Sequence, residues 1–175
     1  MVLAEDSVKR TGYRMPSEAE WEYFCRAGTA TARPFGESPE HLSRYAWTWL
    51  NSDNRIHPVG LLLPNEFGLF DVLGNAWEWC QDGPIGQYQA GKTDFPPYPL
   101  GTKEDPAGDP AQTETIDASD RAHETWRILR GGAYSYAPDR ARSAYRDWQP
   151  SSDTREYLGL RVVRTLPPRT ESSSQ

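Results

Sequence analysis

The sequence predicts a mixed α+β chain with one strong helix, short sheets and long loops. Three observations predict it. One segment carries a full set of helix signals, and several short segments alternate like half-buried strands. Only 37% of the 175 residues are hydrophobic, against 14 Gly and 15 Pro, so much of the chain must be loop.

Residues 1–15 are polar and either frayed or a short strand, with 1–12 a poorly ordered lead-in to a domain at 13–166. Pro16-Ser17-Glu18-Ala19-Glu20 then starts a helix, with Ser17 as N-cap and Glu20 completing a capping box. Trp21, Phe24 and Cys25 follow at helical spacing and form one apolar stripe. Gly28 closes the helix as its C′ residue. Residues 29–66 read as irregular. Within them Tyr45–Trp49 forms an extended piece with Trp47 and Trp49 on one side. Asn51–Asn54 is a turn cluster, and His57–Gly60 starts a short strand.

Residues 83–125 are rich in Pro, Gly, Asp and Thr, a loop long enough to be functional or mobile. Trp126–Arg130 alternates as a strand that Gly131-Gly132 breaks or bulges. Two more strands are expected at 141–146 and 158–164, and residues 167–175 are a disordered tail.

A chain of this length suits a single domain with a real core. The net charge of −6 argues against nucleic acid or an anionic membrane as partner. No run of about 18 apolar residues spans a membrane, and acids stand where a signal peptide needs a basic then apolar run. A cytoplasmic location follows as the expectation. Cys25 and Cys80, the only cysteines, read as free thiols in or near the core, with a single disulfide the alternative.

The densest segment is Gly68-Leu69-Phe70-Asp71-Val72-Leu73-Gly74-Asn75-Ala76-Trp77-Glu78-Trp79. Gly74-Asn75 is a turn pair that tolerates positive φ. On a strand, Trp77 and Trp79 would share one face while Glu78 points to the other. The segment is a structural keystone, an ion site, or both. Nine of the sixteen arginines lie between Arg121 and Arg164. They read as partners of carboxylates that tie loops to the sheet, with an anion-binding groove as the alternative.

Four segments resemble the motifs of one family, in order. Tyr13–Tyr23 resembles the RLPTEAEWEY segment of the formylglycine-generating, or sulfatase-modifying factor, family. Gly68–Trp79 resembles its GLYDMxGNVWEW, Arg130–Tyr134 its RGGSW/Y, and Gly159–Arg161 its closing GFR. The resemblance implies a modified C-type-lectin-like fold with long loops and short sheets. It also implies strands and a helix upstream of Tyr13, so this chain looks like the C-terminal portion of the domain, with apolar side chains left uncovered.

In the formylglycine-generating enzymes, two cysteines after RGG bind copper(I), a soft ion that needs thiolates. The resemblance places those cysteines at Tyr136 and Ala141, so copper chemistry is not expected here. Some relatives pair a cysteine matching Cys25 with one near GFR, where this chain has Val162. A related branch, the ergothioneine-type sulfoxide synthases, uses iron. His41, His57 and His123 have no metal-ligand spacing, and His57 reads as a loop residue on the aromatic cluster. The resemblance further implies a calcium site made of the Asp71 side chain, the Gly74 and Ala76 carbonyls and the Glu78 side chain. Calcium accepts such mixed oxygen donors. The alternative is that Asp71 caps the turn and Glu78 pairs with a strand arginine.

Two functions are therefore expected. The first is a non-catalytic binding or structural module, a bacterial pseudoenzyme attached to a signalling domain such as a Ser/Thr kinase. Trp47, Trp49, Tyr136, Tyr145 and Trp148 would line its groove for a peptide or small ligand. The second is an oxygen-dependent oxidase or C–S-bond-forming enzyme that takes ligands from another chain or region.

Overall fold

The computed structural model describes residues 12–83 and 126–166. The expectations for residues 84–125, His123 and the tail after 166 lie outside them. Strand β1 (Gly12–Arg14) leads into helix α1 (Glu18–Arg26). A 3-10 helix spans Pro39–Arg44. Then come β2 (Ala46–Trp47), β3 (Leu73–Gly74), β4 (Trp77–Trp79), β5 (Trp126–Arg130), β6 (Arg146–Pro150), β7 (Leu158–Gly159) and β8 (Val163–Thr165). The main sheet has the order β6-β5-β4-β7, with β7 parallel to β4 and the other pairs antiparallel. Two small ladders flank it: β1 against β8, antiparallel, and β2 against β3, parallel.

Helix α1 forms for the reasons read in the sequence. Ser17 Oγ accepts from the Glu20 N–H, and the Glu20 carboxylate accepts from the Ser17 N–H. Trp21 and Cys25 are fully buried. The helix ends where the sequence expects, with Ala27 as C-cap and Gly28 as the C′ residue. Ala27 already adopts φ 48°, its N–H bonded to the Tyr23 carbonyl, before Gly28 at φ 89°.

The register of the main sheet sorts its side chains. Trp79 lies opposite Leu129, and Glu78 opposite Arg130. Trp77 and Leu129 join a cluster with Trp79, Tyr136, Tyr145 and Tyr157 on one face. Ile128 and Cys80 face α1 and pack with Trp21 and Cys25. Arg130 and Arg146 stand opposite each other across β5 and β6, a pairing that repels on its own. Helix α1 neutralises it. Arg130 bonds Glu22 and lies 3.6 Å from Glu18, while Arg146 bonds Glu18. Arg130 is 1% exposed, lies over the Trp21 ring, and donates to the carbonyls of Ser143 and Tyr145. The helix is thus docked by a charge-matched quartet as well as by its apolar stripe.

Several expected strands are corrected. The extended piece at Tyr45–Trp49 is only Ala46–Trp47, because Asn51 Oδ1 accepts the Thr48 N–H and turns the chain. Residues His57–Gly60 form no strand. The Asn75 side-chain amide takes up both backbone groups of His57, at 2.9 and 3.0 Å, in place of a ladder. The strand expected at 141–146 begins at Arg146, since the Tyr145 N–H closes a turn on the Arg142 carbonyl. The strand expected at 158–164 is two strands in different sheets, separated where Arg161 turns inward. The turn at Asn51–Asn54 forms as expected, with Asp53 and Asn54 at positive φ.

Candidate functional site

The segment Gly68–Trp79 is a compressed double turn. Gly68, Asp71, Gly74 and Asn75 all have positive φ. The Gly74 N–H donates to Gly131 O at 2.9 Å, and the Asn75 N–H to Trp47 O at 2.8 Å. The Tyr134 N–H donates to Asn75 O at 3.0 Å. This turn therefore ties β2, the loop at His57 and the glycine pair after β5 to one another. Gly74 must be glycine, because a Cβ there would sit 2.3 Å from Trp47 O.

Glu78 leaves this turn into the core, on the side of the sheet away from Trp77 and Trp79, as its place on the strand predicts. Its Oε1 accepts from Arg161 Nε at 3.0 Å and Nη2 at 2.7 Å. Its Oε2 accepts from Arg161 Nε at 2.9 Å and from Trp21 Nε1 at 2.8 Å. Arg161 Nη2 also donates to Phe70 O at 2.9 Å. Burial pushes the Glu78 carboxyl up; Arg161 and Trp21 pull it back, and the charge of Asp71 adds to the rise. Burial alone would lower the Arg161 guanidinium, but Glu78 outweighs it and holds the proton more tightly. Sequence reasoning left the partner of Glu78 as an unnamed strand arginine. The GFR segment was the signal that could have named it.

Asp71 is 7% exposed at φ 53°. Its Oδ2 accepts the N–H of Gly60 at 2.6 Å, in a separate turn upstream and not in its own motif, while its Oδ1 is buried with no hydrogen-bond partner. Two carboxylates and one guanidinium leave this pocket with one net negative charge. An orphaned carboxylate oxygen beside uncompensated charge suits a hard dication. Of the expected calcium ligands, Asp71 therefore keeps an oxygen open to a cation, whereas Glu78 is engaged by Arg161. Among the described residues, no three His, Cys, Asp or Glu side chains gather to hold a metal.

Both thiols are free and buried. Burial pushes Cys25 up to about 12 and Cys80 well above its ordinary value. Cys25 Sγ donates to Ser143 Oγ at 3.6 Å, and Val162 is exposed. Ala141 is buried. Tyr136 lies edge-on to Trp77 and Tyr157, at 5.6 Å from each, with Arg140 over its ring. The five groove aromatics are not gathered on one face. Tyr145 packs toward Trp77 with Tyr136, and the exposed Trp49 donates only its backbone N–H to Tyr136 O. Trp47 stacks on His57 at 3.8 Å. Trp148 pairs with Ile128, on the face away from Leu129. Among the described histidines, His41 is exposed and His57 is the loop residue expected.

The family described as "Sulfatase-modifying factor enzyme 1-like domain" matches residues 3–166. The chain belongs to this family. The formylglycine-generating enzyme of Mycobacterium tuberculosis is 32% identical over 173 residues, covering 87% of this chain and 51% of the relative. The serine/threonine-protein kinase pkn1 of Chlamydia pneumoniae is 31% identical over 156 residues, covering 89% of this chain and 21% of the kinase. Among solved structures, Treponema denticola variable protein 1 superposes with a TM-score of 0.63 at 28% identity, over 87% of this chain and 47% of that one. PvdO from Pseudomonas aeruginosa gives 0.62 at 30% identity, over 88% and 53%. The chain spans from about a fifth to about half the length of these curated relatives. Within the family frame the four motifs meet around one place. The helix motif supplies Trp21, the double turn Asp71 and Glu78, the glycine pair the Gly131 carbonyl, and GFR supplies Arg161.

Proposed function

We propose that this family domain is a non-catalytic binding or structural module. The observation that carries it is the segment after Arg130-Gly131-Gly132. The two positions to which the resemblance assigns a copper-binding cysteine pair hold a packed Tyr136 and a buried Ala141. The other thiols, Cys25 and Cys80, are buried and held protonated, and a thiol has to ionise to bind copper(I) or attack. The fold reading extends to a modified C-type-lectin-like architecture, supported by the short sheets around one helix. The relatives named as kinases support attachment to a signalling domain. On this reading the partner is a peptide or small ligand rather than nucleic acid or membrane. No described helix is long and apolar enough to cross a membrane.

For the ion, Asp71, the Gly74 and Ala76 carbonyls and Glu78 would hold calcium, which would neutralise the buried carboxylates and brace the double turn.

The second reading, an oxygen-dependent oxidase acting on sulfur, is favoured by the 32% identity to a formylglycine-generating enzyme. Oxygen consumption on a cysteine peptide with added copper separates the two. The module reading expects no turnover above buffer. Turnover that disappears on replacing Cys80 would defeat it. Calcium calorimetry on wild type and Asp71→Ala tests the ion site; heat lost only in the variant is expected, and no binding by either removes it.

A further inference from the structure

We propose that one outward face of this domain is an interface with a second copy of the chain, formed around a twofold axis. The face begins on the closing segment. Exposure alternates from residue 160 to residue 164, so Leu160, Val162 and Arg164 point outward while Arg161 turns in to Glu78. A solvated strand carries polar residues on its outward side, yet here Leu160 is 57% exposed and Val162 56%. Tyr13, 76% exposed, stands opposite Arg164 on β1, and the Arg164 guanidinium lies over its ring. The apolar row continues across the double turn. Arg161 Nη2 donates to Phe70 O at 2.9 Å, and the same guanidinium lies 5.9 Å from the Phe24 ring centre. Next to Phe24, the Tyr23 ring meets Phe67 at 5.8 Å between centroids. The Asn65 side chain fixes this end, donating to Phe24 O at 2.7 Å and accepting the Phe67 N–H at 3.0 Å. These contacts link Tyr13, Val162, Leu160, Phe70, Phe67 and Tyr23 into one apolar face.

Area and charge select the occupant. At their fractional exposures these six side chains leave on the order of 800 Å² open, more than the largest apolar patch of an ordinary monomer and about one partner's share of a standard interface. Two exposed charges stand at its ends. Arg164 lies beside Tyr13, where β1 leads to the start of α1, and Glu66 precedes Phe67, which packs on Tyr23 in the second half of α1. Among the described residues Arg164 meets no carboxylate and Glu66 no donor. A twofold axis through the face sets each of them against the opposite charge of the other copy, and the apolar middle against itself. Arg161, within the face, is already matched by Glu78, so pairing buries no bare charge there.

The test uses the full chain. Sedimentation velocity from about 1 to 100 μM should show the mass rise from one 19.8 kDa chain to two, since interfaces of this size bind at micromolar concentration or tighter. Val162→Lys changes only an exposed side chain and puts like charges on both sides of the axis. It should weaken self-association about tenfold or more, with an unchanged urea midpoint. Arg164→Glu and Glu66→Arg should each weaken it, and the double exchange should restore it, because the two ends meet across copies. A protein that stays monomeric at about 100 μM overturns the proposal. So does a dimer that Val162→Lys leaves unchanged, which puts the interface elsewhere. A double exchange that restores nothing overturns the twofold arrangement. A monomer that binds an apolar dye, with the binding lost in Val162→Lys, also overturns the proposal and gives the face to an unlike polypeptide.

Discussion

Gly74 and Gly68 share nearly the same left-handed backbone, φ 73° and 76°, in one motif. They differ in what a side chain would meet. A Cβ at Gly68 finds nothing within 4 Å, whereas at Gly74 it would overlap the backbone of Trp47, at 2.3 Å from O and 2.8 Å from N. Gly68→Ala should therefore cost only the left-handed strain, about 1–2 kcal/mol. Gly74→Ala adds an overlap that backbone cannot yield to cheaply, about 1–3 kcal/mol. It also weakens the Asn75-to-Trp47 and Gly74-to-Gly131 hydrogen bonds, about 1 kcal/mol each. The expected total is about 4–7 kcal/mol, or roughly 8–28 °C in melting temperature. Urea unfolding followed by tryptophan fluorescence measures both variants against wild type. If the two alanines cost the same within about 1 kcal/mol, the turn is not held against β2 as described, and the reasoning about the motif fails.

Other outcomes follow from the same geometry. Glu78→Ala strands the buried Arg161 and should cost about 3–5 kcal/mol; a double-mutant cycle with Arg161→Ala should be clearly non-additive, and simple additivity would deny the coupling. Ser17→Ala removes the N-cap and should cost about 1 kcal/mol by urea midpoint, with no loss meaning that the capping box is idle. Neither Cys25 nor Cys80 should react with a thiol reagent at pH 8 in the native protein, and both should react in urea; rapid native labelling would contradict their burial. Burial alone would raise the Glu20 carboxyl, but Arg14 and the Ser17 N–H outweigh it and hold it below its ordinary 4.5. Its folded value is depressed, so its contribution is fully present above the ordinary 4.5 and lost as pH falls from there through the folded value. Glu20→Gln should flatten the acid limb of the stability–pH curve, and an unchanged slope would refute the assignment.

Local chemistry was legible wherever neighbours in sequence are also neighbours in space. The capping box, the apolar stripe of α1, the break at Gly131-Gly132 and the opposite faces of Trp77 and Glu78 needed only helix and strand periods. The arginine surplus was legible as ion pairing: Arg130, Arg140, Arg146, Arg155 and Arg161 each meet a carboxylate. Short strands were less legible. A two- or three-residue strand has too few alternations to show a period, so its limits are set by a tertiary partner. At His57 that partner is the Asn75 amide, and at 158–164 it is the demand of Glu78 for Arg161.

The sequence by itself determined the α+β class, the family motifs and which residue types stand after the glycine pair. Tertiary structure alone decided which arginine neutralises Glu78 and that Asp71 keeps an unpartnered oxygen. It also decided that Arg130 and Arg146 share the acids of one helix. Composition can count charges, but compensation of a buried charge falls off within a few ångströms. Only the folded chain sets those distances, bringing residue 161 to residue 78 and residue 146 to residue 18.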